Sequence, residues 1–135
     1  MASLLVVDDE SNIRHLHSLV LSDEGHEVKT AASCSEAEQM LNGNSFDLVL
    51  LDIELQNENG LDLLQKIVKD GRDLPVVLCS AYSYYKDDFT SWLADGYVVK
   101  SSDPQELKDE IARVIAKKNR SRRHIYGNIS QTPRT

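Results

Sequence analysis

The chain has 135 residues, 41% of them apolar, and a formal net charge of −7. That length suits one domain with one core, and no run approaches the roughly 18 apolar residues that a membrane span needs. The N-terminus goes straight into ASLLVVDDE, without the basic start and cleavage site of a secretory signal, so a cytoplasmic protein with no membrane contact is expected.

The predicted elements alternate. LLVV (4–7) is a short apolar run of the kind that forms a strand buried on both faces. Ile13, Leu16, His17, Val20 and Leu21 follow at helical spacing, with Ser11 or Asn12 as the cap and Gly25 as the stop. HEVKT (26–30) alternates as a strand. Ser33 or Ser35 opens a second helix, with Ala37, Met40 and Leu41 on one face. FDLVLLD (46–52) is a third, strongly apolar strand, and Leu61, Leu64, Ile67 and Val68 make a third helical stripe. PVVLCS (75–80) is a fourth strand, with its proline at the tolerated first position. Tyr85, Phe89, Trp92 and Leu93 give a fourth stripe, expected to be core, and GYVVK (96–100) a fifth strand. Asp103-Pro104 is a good helix start, a cap followed by proline in the first turn, and Leu107, Ile111, Val114 and Ile115 form the fifth stripe. Cys34 and Cys79 lie inside apolar-patterned segments and are expected to be small packed residues, neither a disulfide nor a metal pair.

Charge divides the chain. Residues 1–116 carry 9 Lys and Arg against 22 Asp and Glu, a balance of −13, whereas 117–135 carry 6 basic residues and no acid. An acidic body is a poor binder of polyanions, so direct nucleic-acid binding is not expected. The expected organisation is one domain over residues 1–118 and a mobile basic tail over 119–135.

Five strands alternating with five helices argue for an α/β fold, a doubly wound parallel sheet with helices on both faces. Ligands of such sheets bind beyond the carboxyl ends of the strands. Those ends are chemically pointed here: Asp8, Asp9 and Glu10 after the first strand, Asp52 after the third, Ser80 after the fourth and Lys100 after the fifth. Clustered carboxylates resist ionisation unless a cation joins them. A hard divalent ion, Mg²⁺ or Mn²⁺, suits an all-oxygen site. Such an ion with an ammonium and a hydroxyl would receive a phosphoryl group, and an aspartate beside it can act as nucleophile.

VVDDE, LVLLD, CSA and GYVVK, in this order, resemble the receiver domain of two-component response regulators, with the chemotaxis receiver as the simplest relative. The resemblance covers residues 3–117. It implies a flavodoxin-like (βα)5 sheet of strand order 2-1-3-4-5. It also implies roles: Asp52 as phosphoacceptor; Asp8, Asp9, Asp52 and the backbone carbonyl of Glu54 around the metal; Lys100 and Ser80 on phosphoryl oxygens; and Ser80 and Tyr97 as the switch pair. Glu54 and Tyr82 fall at the two variable positions that tune the lifetime of the acyl phosphate. Gly60 matches the glycine that ends the loop after the acceptor, and Ala81 the small residue that keeps the acceptor accessible.

Two positions depart from the family. Ser101 follows Lys100 where the family has a proline after a cis bond, so a trans Lys100–Ser101 bond is expected, with the ammonium kept near Asp52. Gln56 stands where the loop after the acceptor usually has proline.

The implied function is a stand-alone, phosphorylation-activated response regulator in a phosphorelay. It would receive its phosphoryl group from a histidine kinase or phosphotransfer protein and signal to a downstream protein. It would act as a monomer or as a phosphorylation-dependent dimer, and not as an enzyme beyond its own phosphorylation and dephosphorylation. The alternative is a receiver fragment of a larger transcriptional regulator. A phosphatase of the haloacid-dehalogenase type, echoed only by DIE (52–54), is disfavoured by the short chain.

Overall fold

The computed structural model describes residues 1–82, 90–100 and 103–131, the stretch from 122 to 131 as backbone only. Seven strands and four helices are described: β1 (Ser3–Val7), α1 (Ser11–Asp23), β2 (Glu27–Ala31), α2 (Cys34–Gly43), β3 (Leu48–Asp52), β4 (Glu54–Leu55), β5 (Glu58–Asn59), α3 (Gly60–Lys69), β6 (Val76–Ser80), β7 (Gly96–Val99) and α4 (Pro104–Gln131). A 3-10 turn spans Thr90–Leu93.

The main sheet has the order β2-β1-β3-β6-β7, all pairs parallel. Once the small antiparallel hairpin β4–β5 is set aside, these are the five expected strands in the expected order 2-1-3-4-5, and the fold is the flavodoxin-like α/β fold. The strands of this sheet alternate cleanly. Leu5, Val7, Val49, Leu51, Val76 and Leu78 face one core with residues of α2 and α3. Leu4, Val6, Leu48, Leu50, Val77 and Cys79 face the other, with Leu21 of α1 and Leu107, Ile111 and Val114 of α4. Each such buried aliphatic side chain contributes about 1.5–3 kcal/mol. A one-residue slip of β3 would exchange its two faces between the cores, so the register that aims Asp52 is fixed by packing on both sides.

Local chemistry accounts for most helix ends. Ser33 accepts from Glu36 N at 3.1 Å while Glu36 reaches back to Ala32 N, so α2 opens on a capping box. Asp103 accepts from Gln105 N ahead of Pro104. At α1 the expected serine or asparagine cap is absent: Glu10 holds the cap position without a side-chain bond, and Ser11 is already helical. The carboxylate of Asp8 takes the N–H of Glu10, the cap residue, at 2.9 Å. Gly25, with φ at +90°, closes that helix.

Three expectations on packing are corrected. Leu16 of α1 is 49% exposed, whereas Leu21 and Val20 are the residues of that helix that join the core. Val68 of α3 is exposed, while Leu63, on no predicted stripe, is buried. Trp92 is 64% exposed and Leu93 is exposed as well: in the tight 3-10 turn it is Ser91 that points inward. Tyr85 and Phe89 lie outside the described residues, as does the Lys100–Ser101 bond. The helical backbone of α4 runs on to Gln131, through the boundary expected at 118/119. Both cysteines are free, Cys79 buried and Cys34 half-buried, and burial pushes each thiol up to about 12. No described helix is long and apolar enough to cross a membrane.

Candidate functional site

The register assembles the rim. Val7 pairs with Leu51, Asp52 with Cys79 and Ser80 with Val99. Asp8 therefore emerges beside Asp52, Ser80 one step further and Lys100 beyond it. Backbone bonds hold these ends: Asp8 N donates to Ala31 O, Ile53 N to Cys79 O and Lys100 N to Ser80 O.

Asp8 and Asp52 are 2% and 1% exposed. One oxygen from each of Asp8, Asp9 and Asp52 lies within 4.8 Å of the others, among the described residues a grouping that could hold a metal ion. The ammonium of Lys100 bridges the two buried carboxylates, 3.0 Å from Asp8 Oδ2 and 3.0 Å from Asp52 Oδ2. Burial alone would lower the Lys100 pKa, but the two carboxylates outweigh it and hold the group well above the ordinary lysine range. Asp52 is pushed the other way. Burial, helped by the charge of Asp8, raises its carboxyl to about 6 against the opposing pull of Lys100 and of the Glu54 N–H. That N–H donates to Asp52 Oδ1 at 3.0 Å, so both oxygens of the carboxylate are oriented. The guanidinium of Arg14 donates to the Asp8 carbonyl at 2.7 Å and ties α1 to the same edge.

The hairpin β4–β5 closes one side. The Glu54 side chain turns back across the rim, accepting from Ser80 Oγ at 2.5 Å and from Ala81 N at 3.2 Å. Ser80 Oγ in turn accepts from Tyr82 N at 3.0 Å. Gln56 N donates to Asp9 Oδ2 at 2.9 Å, and Glu58 accepts from Cys34 N at the start of α2. Gly60, the first residue of α3, donates its N–H to Ile53 O. A Cβ there would lie 2.1 Å from the Asp52 carbonyl oxygen, so the helix meets the acceptor strand through an approach that only glycine permits.

Tyr97, on β7, is half-buried and donates its hydroxyl to the Tyr82 carbonyl at 2.7 Å, while its own N–H donates to Glu110 Oε2 on α4. Asp8, Asp9, Asp52, Ser80 and Lys100 thus lie together at the strand ends, and Glu54, Ala81, Tyr82 and Tyr97 join them through the bonds just described. His17, half-buried on α1, has its pKa lowered first by burial. Arg14 and the N–H of Gln56 also belong to this rim, although no sequence motif marks them. Arg14 stands six residues after Asp8 on an ordinary helix, and a backbone N–H leaves no trace in residue type.

Comparison with known proteins agrees with this geometry. The family model described as "Response regulator receiver domain" matches residues 4–112. Among curated relatives, the probable transcriptional regulator ycf27 of Cyanidium caldarium is 34% identical over 83% of this chain and 45% of its own length. The alginate biosynthesis transcriptional regulatory protein AlgB of Pseudomonas putida is 36% identical over 83% of this chain and 25% of its own. The chain therefore spans less than half of these relatives. Among solved structures, response regulator TrrA of Thermotoga maritima in complex with Mg²⁺-BeF is 43% identical, with a TM-score of 0.81 over 84% of this chain and 99% of that one. TrrA bound to the histidine kinase ThkA superposes with a TM-score of 0.79 over 84% and 98%. With its fold, its acidic rim and a family match over most of its length, the chain belongs to the receiver domains of two-component response regulators.

Proposed function

We propose that this receiver is a phosphorylation-controlled signalling module in which Asp52 accepts a phosphoryl group from a histidine kinase or a phosphotransfer protein. The observation that carries the reading is the Asp52 carboxylate itself: buried, held at both oxygens by Lys100 and the Glu54 N–H, and flanked by two more aspartates. An Asp52 oxygen attacks phosphorus, the P–O bond forms as the P–N bond of the phosphohistidine breaks, and the imidazole leaves with the electron pair. Such a transition state spreads charge over the equatorial oxygens, so positioned cations and donors do most of the work. Lys100 reaches one oxygen from its bridging place, and Ser80 Oγ and Ala81 N offer donors to another once the Glu54 carboxylate withdraws.

The donor set fits Mg²⁺ or Mn²⁺: carboxylate oxygens of Asp8, Asp9 and Asp52 close together, with the Glu54 carbonyl as the added protein ligand. Bound there, the ion neutralises the carboxylates and polarises the phosphoryl group. TrrA, the similar regulator, has been solved with Mg²⁺-BeF and with its kinase, which supports both the ion and the class of donor. Ser80 and Tyr97 form the switch pair: a shift of Ser80 toward the phosphoryl group frees space that the Tyr97 ring takes, and the exposed surface changes for a downstream protein. Glu54 and Tyr82, on the two sides of Ser80, tune how long the acyl phosphate lasts. The chain turns over only its own phosphorylation and dephosphorylation, and we place it in the cytoplasm.

A second reading has its own support. The chain covers 45% of ycf27 and 25% of AlgB, both transcriptional regulators, so this receiver also suits the regulatory part of a longer protein.

Phosphoramidate or acetyl phosphate with Mg²⁺ tests the proposal by intact mass. One added group of about 80 Da is expected in the wild type and none in Asp52→Asn or in a chelated sample. Labelling that survives in Asp52→Asn would place the acceptor elsewhere.

A further inference from the structure

The hairpin β4–β5 turns on Gln56 and Asn57, between the pair Leu55 and Glu58. Asn57 has φ at +61°, whereas Gln56 is not among the residues of positive φ. A positive φ at the second central residue alone is the mark of a type II turn, whose first central position accepts any residue and favours proline. Gln56 occupies that first position. Its N–H points across to the first strand end and donates to Asp9 Oδ2 at 2.9 Å. Among the described residues, Asp9 has no other hydrogen bond or ion pair. Asp8, by contrast, is held by Lys100 and by the Glu10 N–H, and Asp52 by Lys100 and the Glu54 N–H. Asp9 is half-buried, so without a partner it would be the least ordered of the three carboxylates.

We infer that the Gln56 N–H is the positioning donor for Asp9, fixing one of its oxygens so that the other is presented to the divalent ion. The inference rests on the metal reading proposed above for Asp8, Asp9 and Asp52. Donors behind ligating groups orient them and raise affinity, and their loss typically costs about 10–100-fold in metal binding. The contribution is that of the backbone, so the glutamine side chain is irrelevant to it. A proline at this position would preserve the turn and abolish the bond, because it has no N–H. The departure at residue 56 from the receiver pattern is therefore a gain of one hydrogen bond to the metal site.

Calorimetric titration of MgCl₂ alone into wild type, Gln56→Pro and Gln56→Ala tests this without any phosphoryl donor. Gln56→Ala keeps the N–H and should bind within about twofold of wild type. Gln56→Pro should bind roughly tenfold more weakly, and its metal-free form should melt somewhat lower, because proline removes the N–H that Asp9 accepts. Wild-type affinity in Gln56→Pro, or tighter binding, would overturn the assignment of Gln56 while leaving the metal site standing. Absence of saturable Mg²⁺ binding in the wild type would overturn the metal reading and this inference with it. Should Gln56→Pro fail to fold, exchange of the Gln56 amide decides: slower in wild type than in Asp9→Ala is required, and equal rates overturn the bond.

Discussion

Asp52 carries a conflict between burial and charge. Its carboxyl stands at about 6 in the folded, metal-free chain, against 3.8 ordinarily, because burial and Asp8 outweigh the help of Lys100 and the Glu54 N–H. Between pH 4 and 6 the folded state keeps a proton that the unfolded chain has released. Stability then falls as pH rises through that window, by on the order of 2–3 kcal/mol for a shift of this size. The Lys100 shift lies far above the window and does not affect the slope. Asp52→Asn removes the ionisation but keeps the shape, and Lys100 retains Asp8 as a partner. In chelator, the variant should melt higher than wild type at pH 7, and the gap should close toward pH 4. Denaturant titrations at several pH values check this, and a gap that is constant with pH would mean that Asp52 is already ionised at pH 4. The same conflict is what a divalent ion relieves, so Mg²⁺ should stabilise the wild type at pH 7 and Asp52→Asn much less.

The junction of β3, the hairpin and α3 delivers that carboxylate, and it is built on one missing side chain. Gly60 lets α3 start against the Asp52 carbonyl, where a Cβ would approach to 2.1 Å. The atom in the way is backbone of the acceptor strand, so it cannot swing aside. Gly60→Ala should cost about 1–3 kcal/mol, the usual range for overpacking, and should slow phosphorylation by turning Asp52. Gly43→Ala, in open space at the end of α2, is the control and should be neutral or stabilising by up to ~1 kcal/mol. Urea unfolding of both variants, with labelling by phosphoramidate, checks the pair; a Gly60→Ala protein as stable as Gly43→Ala would contradict the close approach. The same region marks where the sequence can be read and where it cannot. LLVV, LVLL and VVLC declare themselves as strands because both faces of a central parallel strand are buried. Their ends then carry Asp8, Asp52 and Ser80 to the rim by simple continuation. The hairpin was not legible, since ELQNEN has two-residue strands, all but Leu55 polar and with no period to detect. Nor was the outward turn of Trp92, because a stripe of apolar residues does not distinguish an α-helix from a 3-10 turn that buries Ser91 instead.

Charge is segregated along the whole chain, with an acidic body and a basic C-terminal end. Among the described residues of α4 the buried side chains are Leu107, Ile111 and Val114, and Lys118 is tied to the body through its ammonium, which donates to the Asp73 carbonyl at 2.9 Å. Beyond it the helical backbone continues to Gln131, in a sequence with no sustained apolar stripe. Helical stability in proteins comes mostly from a packed face, so residues 119–135 should contribute little to the fold. A chain ending at Lys118 should therefore unfold within about 1 kcal/mol of the full chain at 0.15 M salt and take up the phosphoryl group at the same rate. The truncation also removes four arginines and no acid, which leaves the body's negative charge less compensated. Screening hides this at physiological salt, where charges separated by more than about 8 Å hardly interact, but not at 0.01 M, where the range reaches about 30 Å. The shortened protein should thus lose stability relative to the full chain as salt is lowered, and regain it when salt is restored. Parallel urea titrations at the two ionic strengths read both effects. A loss above about 2 kcal/mol at 0.15 M salt would show that the extension packs on the body, and a gap that does not change with salt would show that its charge is not felt there.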